Sequence, residues 1–137
     1  GGNTNVSNLV NSSGVVGSDV TGVGTARNST AGCQYGDDKA IIAYGAVPSA
    51  TSVSNKISNV GVVATDTTGV GTARTGVGAL SYGADKGIFA YGNNALGGAS
   101  NANLNTRNLV NSSGVIASDA TGAGTIRTLE GGAEFGN

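Results

Sequence analysis

The residues best equipped for chemistry in this sequence are its charged side chains, and most of them recur at fixed intervals. Arg27, Arg74 and Arg127 follow one another by 47 and 53 residues, and Asp19, Asp66 and Asp119 keep the same two intervals. Asp38 with Lys39 is copied as Asp85 with Lys86 at the first of these spacings. A guanidinium presents a planar fork of donors that fits carbonyl and carboxylate oxygens better than an ammonium does. Charges copied together with a scaffold usually serve it. The spacing therefore predicts an Arg fork that bridges backbone carbonyls, or the repeated Asp, between adjacent units. A ring of Arg gripping an anionic glycan is the competing use of the same residues.

The remaining candidates for chemistry are weaker. Asp37 and Asp38 form a carboxylate pair of the kind used in glycoside hydrolysis or calcium binding. Neighbouring residues on a strand or turn diverge, however, and the second copy reads Ala84-Asp85, so the pair is not retained within the chain. Glu130 and Glu134 occur in one copy only and read as solvated. The Gly-x-Gly of "TGVGTAR" invites an anion cradle built from backbone amides. It lacks both the Gly-Lys-Ser/Thr ending of a P-loop and the third glycine of a dinucleotide fingerprint, and its recurrence fits a connector between units. With no histidine and a single cysteine, the usual zinc sets and nucleophile-base triads lack members, and an internal disulfide is impossible. Cys33 fills a slot taken by Leu80 and Ala133 in the other copies, which predicts a buried, inert thiol. The four Asn-x-Ser/Thr sites, at Asn5, Asn11, Asn28 and Asn111, are what the composition produces by itself. Tyr35, Tyr44, Tyr82 and Tyr91 are in repeat phase and read as packing residues. No catalytic, metal-binding or cofactor-binding residue is predicted.

These residues sit in a chain that spells itself out more than once. The string from Thr21 to Gly45, "TGVGTARNSTAGCQYGDDKAIIAYG", matches Thr68 to Gly92 at 15 of 25 positions, and "NLVNSSGV" stands at both Asn8 and Asn108. The registers agree on a unit of 47 to 53 residues, with boundaries 1–27 (partial), 28–74, 75–127 and 128–137 (partial). The extra residues of the longer interval fall between Gly92 and Asn108, where length variation marks a surface loop. Each unit holds four short runs of strand character and no amphipathic helical stretch. In the middle copy these are Val53 to Ile57, Gly61 to Thr65, Ala79 to Tyr82 and Gly87 to Tyr91. The pattern Asp-x-Thr-Gly, beginning at Asp19, Asp66 and Asp119, suits a type I turn.

Composition limits what such a chain can bury. Among 137 residues there are 25 Gly, four Tyr, two Phe and no Trp or Met, so a conventional two-layer core is poorly supplied. Only 11% of residues are charged and the net charge is −1, which leaves no electrostatic footprint for nucleic acid. No apolar run is long enough to cross a bilayer, so no membrane insertion is expected.

Four strands per unit of about this length is the arithmetic of a β-propeller blade, whose small sheet is stabilised by stacking on its neighbours. The order of signals also resembles the kelch repeat. That order is an Arg, a small apolar run, a polar turn, an Ile-aromatic strand and a closing Gly, as in Arg74, "GVGALSYG", "ADK" and "GIFAYG". The Trp typical of kelch is missing, and the closing Gly-Gly is replaced by Tyr44-Gly45 and Tyr91-Gly92. The wording "GVVATDTTGVGTAR…YGADKGIFAYG" is similar to tandem repeats of structural and fibre proteins of tailed phages, particularly those of cyanobacteria. The fold expected is thus all-β, with tandem four-stranded, kelch-like blades, about three in number and part of a larger propeller. The resemblance implies a non-enzymatic structural or adhesive protein of a virion or other extracellular appendage. Its partners would be other virion or appendage proteins and further copies or repeats of the same chain. An intracellular kelch-type scaffold for protein interaction is the alternative. Host-surface glycan or protein would meet the parts that do not repeat, around Ser49 and Thr51 and around Asn93, Asn94, Asn101, Asn103 and Arg107.

Overall fold

The computed structural model describes residues 2–95, 102–128 and 131–133. It is all-β, with no helix among the described residues. The strands are β1 (Ala31–Tyr35), β2 (Lys39–Ala43), β3 (Ala46–Val47), β4 (Ser49–Ala50), β5 (Ser54–Ile57), β6 (Gly78–Tyr82), β7 (Lys86–Ala90), β8 (Thr106–Val110) and β9 (Ala120–Thr121). They form one antiparallel sheet in the order β1-β2-β5, a second in the order β6-β7-β8-β9, and a small β3-β4 hairpin inserted in the chain between β2 and β5. Neither main sheet closes on itself.

Both main sheets grow from the same local chemistry. The hairpin β1-β2 pairs Tyr35 with Lys39 across Gly36-Asp37-Asp38, and β6-β7 pairs Tyr82 with Lys86 across Gly83-Ala84-Asp85. Each turn puts two successive residues at positive φ, Gly36 and Asp37 in the first, Gly83 and Ala84 in the second. Two left-handed residues in a row give a turn whose twist matches the strands it joins. The expected strands Ala79 to Tyr82 and Gly87 to Tyr91 thus emerge as β6 and β7 with edges shifted by one residue.

The third strand of each unit turns back into a second, looser hairpin; after β5 the return arm is held by isolated bridges alone, so the expected strand Gly61 to Thr65 does not form. Ile57 pairs with Val63 and Ser54 with Thr67, so three residues of advance on one strand meet four on the other. The same mismatch recurs as Val10 with Val16 and Ser7 with Val20, and as Val110 with Ile116 and Arg107 with Ala120. Each is a β-bulge. This corrects the reading of Asp-x-Thr-Gly as a turn: its second residue, Val20, Thr67 or Ala120, is paired across the hairpin, by an isolated bridge in the first two copies and within β9 in the third. Its glycine answers a close approach instead, since a Cβ at Gly22, Gly69 or Gly122 would overlap Asn5, Ser52 or Asn105.

The sheets stack face on face. Alternation places Cys33, Tyr35, Ile41 and Ala43 on one face of the first sheet, and they pack against Phe89 and Val110 of the second in a single buried cluster. Tyr44 meets Phe89 edge-on, with ring centroids 5.3 Å apart. Small residues let the backbones approach: a Cβ at Gly87 would overlap the Cys33 sulfur. The Gln34 amide donates to Ser81 Oγ at 2.9 Å and the Gly36 amide to the Asp85 carbonyl at 2.8 Å, joining the two sheets at their turns. Burial pushes the Cys33 thiol up to about 11, the environment of an unreactive cysteine.

Ala84 carries a Cβ in a conformation that costs an L-residue about 1–2 kcal/mol. Replacing Ala84 with Gly is expected to raise stability by about 0.5–1 kcal/mol after the extra chain entropy of glycine is subtracted, read as a higher midpoint of urea unfolding. No gain would mean that the left-handed turn is not populated.

Candidate functional site

The repeated Asp and Arg residues meet at the junction between consecutive units. Asp66 lies in the bulge of one hairpin, and bulges re-aim the side chains they carry. Its carboxylate accepts from the Thr25 amide at 3.0 Å and from the Thr25 hydroxyl at 2.5 Å, both belonging to the preceding connector. On its other side it accepts from Asn55 Nδ2 at 2.9 Å, and the same amide donates to the Ala64 carbonyl at 3.0 Å, within the bulge. The second junction repeats this arrangement. Asp119 accepts from the Thr72 amide at 3.0 Å, the Thr72 hydroxyl at 2.6 Å and Asn108 Nδ2 at 2.9 Å, while Asn108 reaches the Ala117 carbonyl at 3.0 Å. Glycine is required beside the carboxylate, because a Cβ at Gly24 or Gly71 would overlap Asp66 or Asp119. Asn8 makes the same contacts to Asp19 and the Gly17 carbonyl, at 2.9 and 3.1 Å.

Arginine completes each junction from beneath. Arg74, with 0% of its surface exposed, donates through Nε to the Tyr91 carbonyl at 2.8 Å and through its terminal nitrogens to the Thr72 carbonyl at 3.0 Å and Asn108 Oδ1 at 2.6 Å. Its guanidinium lies 4.1 Å over the Tyr44 ring and 4.0 Å from Asp119. Arg27 likewise takes the Tyr44 carbonyl at 3.0 Å and the Thr25 carbonyl at 3.3 Å, 4.0 Å from Asp66. Arg127 sits 4.1 Å over Tyr91. The fork therefore serves mostly carbonyls, with the Asp as a longer-range partner. Tyr44 and Tyr91 turn the chain at positive φ, and the Gly45 and Gly92 amides donate to the carbonyls of Arg74 and Arg127, both at 3.0 Å.

Electrostatics follow from these contacts. Hydrogen bonds from Thr25 and Asn55 hold the Asp66 carboxyl below its ordinary range. At Asp119 desolvation pushes upward most strongly, yet the bonds from Thr72 and Asn108 together with Arg74 leave the group lowered. Burial pulls Arg27 down, against the opposing pull of Asp66.

The residues of the non-repeating loops divide into two kinds. Asn93 is buried and donates to Asn103 Oδ1 at 2.7 Å, while its own Oδ1 accepts from the Ala95 amide at 2.7 Å, so both asparagines hold the base of the loop. Asn94 is exposed, and Asn101 lies outside the described residues. Arg107 is an exposed residue of β8 on the outer face of the second sheet, where it lines a cleft of about 390 Å³ with Leu80, Tyr82, Ile88 and Leu109. Ser49 is exposed on β4, beside the exposed Pro48 at the hairpin tip, whereas Thr51 Oγ1 accepts from the Val53 amide at 3.2 Å. Ala46 pairs with Asn28 as Asn93 pairs with Thr75, so both loops leave equivalent points of their units. The structure thus brings the repeated Asp and Arg together and gathers the loop residues into no common site among the described residues.

Sequence reasoning missed the asparagines and threonines that make the junction. Asn8, Asn55 and Asn108 each precede the repeated Asp by eleven residues, and Thr25 and Thr72 each precede the repeated Arg by two; the signal was present in the spacing. Among the described residues no group of three or more His, Cys, Asp or Glu is placed to hold a metal ion, and no helix is long and apolar enough to cross a membrane. No family model matches the chain, and no curated protein matches it.

Two outcomes follow for the junction. Arg74→Lys cannot reproduce three directed donors from a planar group and leaves buried acceptors short of partners, so it is expected to cost about 2–3 kcal/mol in chemical unfolding. A cost below that of an ordinary surface change would refute the sealed fork. A lowered carboxyl stabilises the fold above its unfolded value of about 3.9 and loses that contribution as pH falls through the lower folded value. The melting temperature should therefore drop on acidification below about pH 4, and the Asp66→Asn, Asp119→Asn double variant should show a flatter profile over the same window.

Proposed function

We propose that this chain is a non-enzymatic structural repeat protein, a rigid frame within a virion fibre or comparable extracellular appendage. The observation that carries the reading is the junction built twice from the same residues: Thr25, Asp66, Asn55 and Arg27 at one joint, Thr72, Asp119, Asn108 and Arg74 at the next, with matching distances. Asp66, Asp119, Arg27 and Arg74, which could otherwise act as acid, base or anion ligand, are engaged in holding one unit to the next. A frame of this kind gains from repetition, because each added unit supplies cover for its neighbour.

Small antiparallel meanders stacked face on face are also how blades meet in a propeller, and on this reading the three- and four-stranded sheets are kelch-like blades of a larger array. The tandem-repeat wording shared with tailed-phage fibre proteins supports the same placement. The exposed tips, Pro48 and Ser49 on one loop and Asn94 on the other, are the surface offered to host glycan or protein. Loops on a rigid frame are where binding is most readily varied.

Mass spectrometry of purified particles or sheared appendages should recover this chain at structural stoichiometry. Its recovery only from the soluble intracellular fraction would overturn the placement. Replacing residues 94–102 with a short Gly-Ser linker is expected to abolish binding to host cells while shifting the melting temperature by no more than a few degrees; retained binding would leave a purely mechanical role.

A further inference from the structure

The described stack has two unlike outer faces, and each displays what the internal junction covers. At the internal junction Val110 and Ile116 are 0% and 6% exposed and belong to the same buried cluster as Tyr35. The Tyr35 ring also lies where a Cβ at Gly114 would fall, at 2.7 Å. In the hairpin from Ser7 to Val20 the equivalent residues, Val10 and Val16, are 60% and 62% exposed, and nothing lies within 4 Å of the Cβ position at Gly14. Asp19 on this hairpin is bonded by Asn8, as Asp119 is by Asn108, but no threonine reaches it among the described residues.

The opposite end carries the complementary half. Tyr82 stands in the repeat position of Tyr35, Leu80 in that of Cys33, Ile88 in that of Ile41 and Leu109 in that of Lys56. In the first sheet those positions cover the second; in the second sheet they line the open cleft, with Leu109 41% exposed. Thr125, in the position of Thr25 and Thr72, is exposed at the same end. An apolar patch on one end and matching apolar residues on the other, with a carboxylate opposite a threonine, reproduce the halves of a joint the molecule already makes within itself.

We infer that a second copy of this chain docks through its Ser7–Val20 hairpin onto the cleft around Tyr82 and Leu109 of the first, with Asp19 of one copy receiving the Thr125 amide and hydroxyl of the other. This deepens the frame reading above and rests on it. The contact joins two different surfaces, so it does not close on itself by a two-fold axis. Each added copy exposes a fresh docking face, and the product is an open linear assembly. Val10, Val16 and Leu109 supply the apolar cover. Asp19 sets the register, because its carboxylate, already bonded by Asn8, gains the Thr125 donors only when the two copies stand one unit apart.

Sedimentation velocity of the whole chain, from about 1 µM to about 1 mM, tests this. The weight-average mass should climb with concentration without a plateau at the dimer. Val16→Asp damages one end and Leu109→Asp the other; both sites are exposed, so folding is expected to survive, checked by an unchanged circular dichroism melt. Each variant alone should remain monomeric, and an equimolar mixture should form a dimer and stop there, since each partner retains one intact end. Asp19→Lys should weaken association at least tenfold. A wild-type chain that stays monomeric throughout, a symmetric dimer untouched by these variants, or a mixture that fails to pair would overturn the inference. A monomeric result would leave recovery from particles or appendages standing, so failure of the end-to-end contact and failure of the structural placement are separable.

Discussion

A carboxylate seated in a β-bulge and claimed by the neighbouring unit is the interaction on which the rest of the architecture depends. Asp66 and Asp119 each join three stretches of chain: the bulge that carries them, the asparagine of the paired strand, and the threonine of the preceding connector. A bulge leaves backbone groups without ladder partners, and an unpaired carbonyl is costly once covered. Asn55 and Asn108 remove that cost by donating to Ala64 and Ala117. The defect in the ladder is thereby turned into the socket that receives the next unit.

Arginine works on the other side of the same joint. Arg74 is fully covered, yet its donors reach Tyr91, Thr72 and Asn108, and an aromatic face lies beneath it. A buried charge without such partners would be strongly destabilising. Because the partners are mostly carbonyls, the geometry survives changes of side chain around it, which suits a motif used repeatedly. The left-handed Tyr44 and Tyr91 deliver both the carbonyl to this fork and the following amide to the next Arg carbonyl.

Much of this could be read in the sequence, and the reasons for the misses are physical. The β1-β2 and β6-β7 hairpins were legible because Gly-Asp-Asp and Gly-Ala-Asp between apolar runs are local turn chemistry. The repeat was legible because identity over long strings leaves little room for chance. Asp-x-Thr-Gly was misread as a turn because its glycine satisfies the same composition rule when the actual demand is a backbone passing close by. Asn93 and Asn103 drew attention as unrepeated polar residues, yet they bond to each other at the loop base. Composition cannot distinguish an asparagine that faces water from one that closes a loop. Stacking of one small sheet on the next was anticipated in kind, but which residues meet, such as Cys33 against Gly87, depends on long-range register.

Around one small apolar cluster, the joints are made largely with short polar side chains and glycine, and this has a calorimetric consequence. Heat capacity on unfolding rises with exposed apolar area and falls with exposed polar area. A chain that stacks through Thr, Asn, Asp and Gly should therefore have a shallow curve of free energy against temperature. Its cohesion would vary little between cold and warm water.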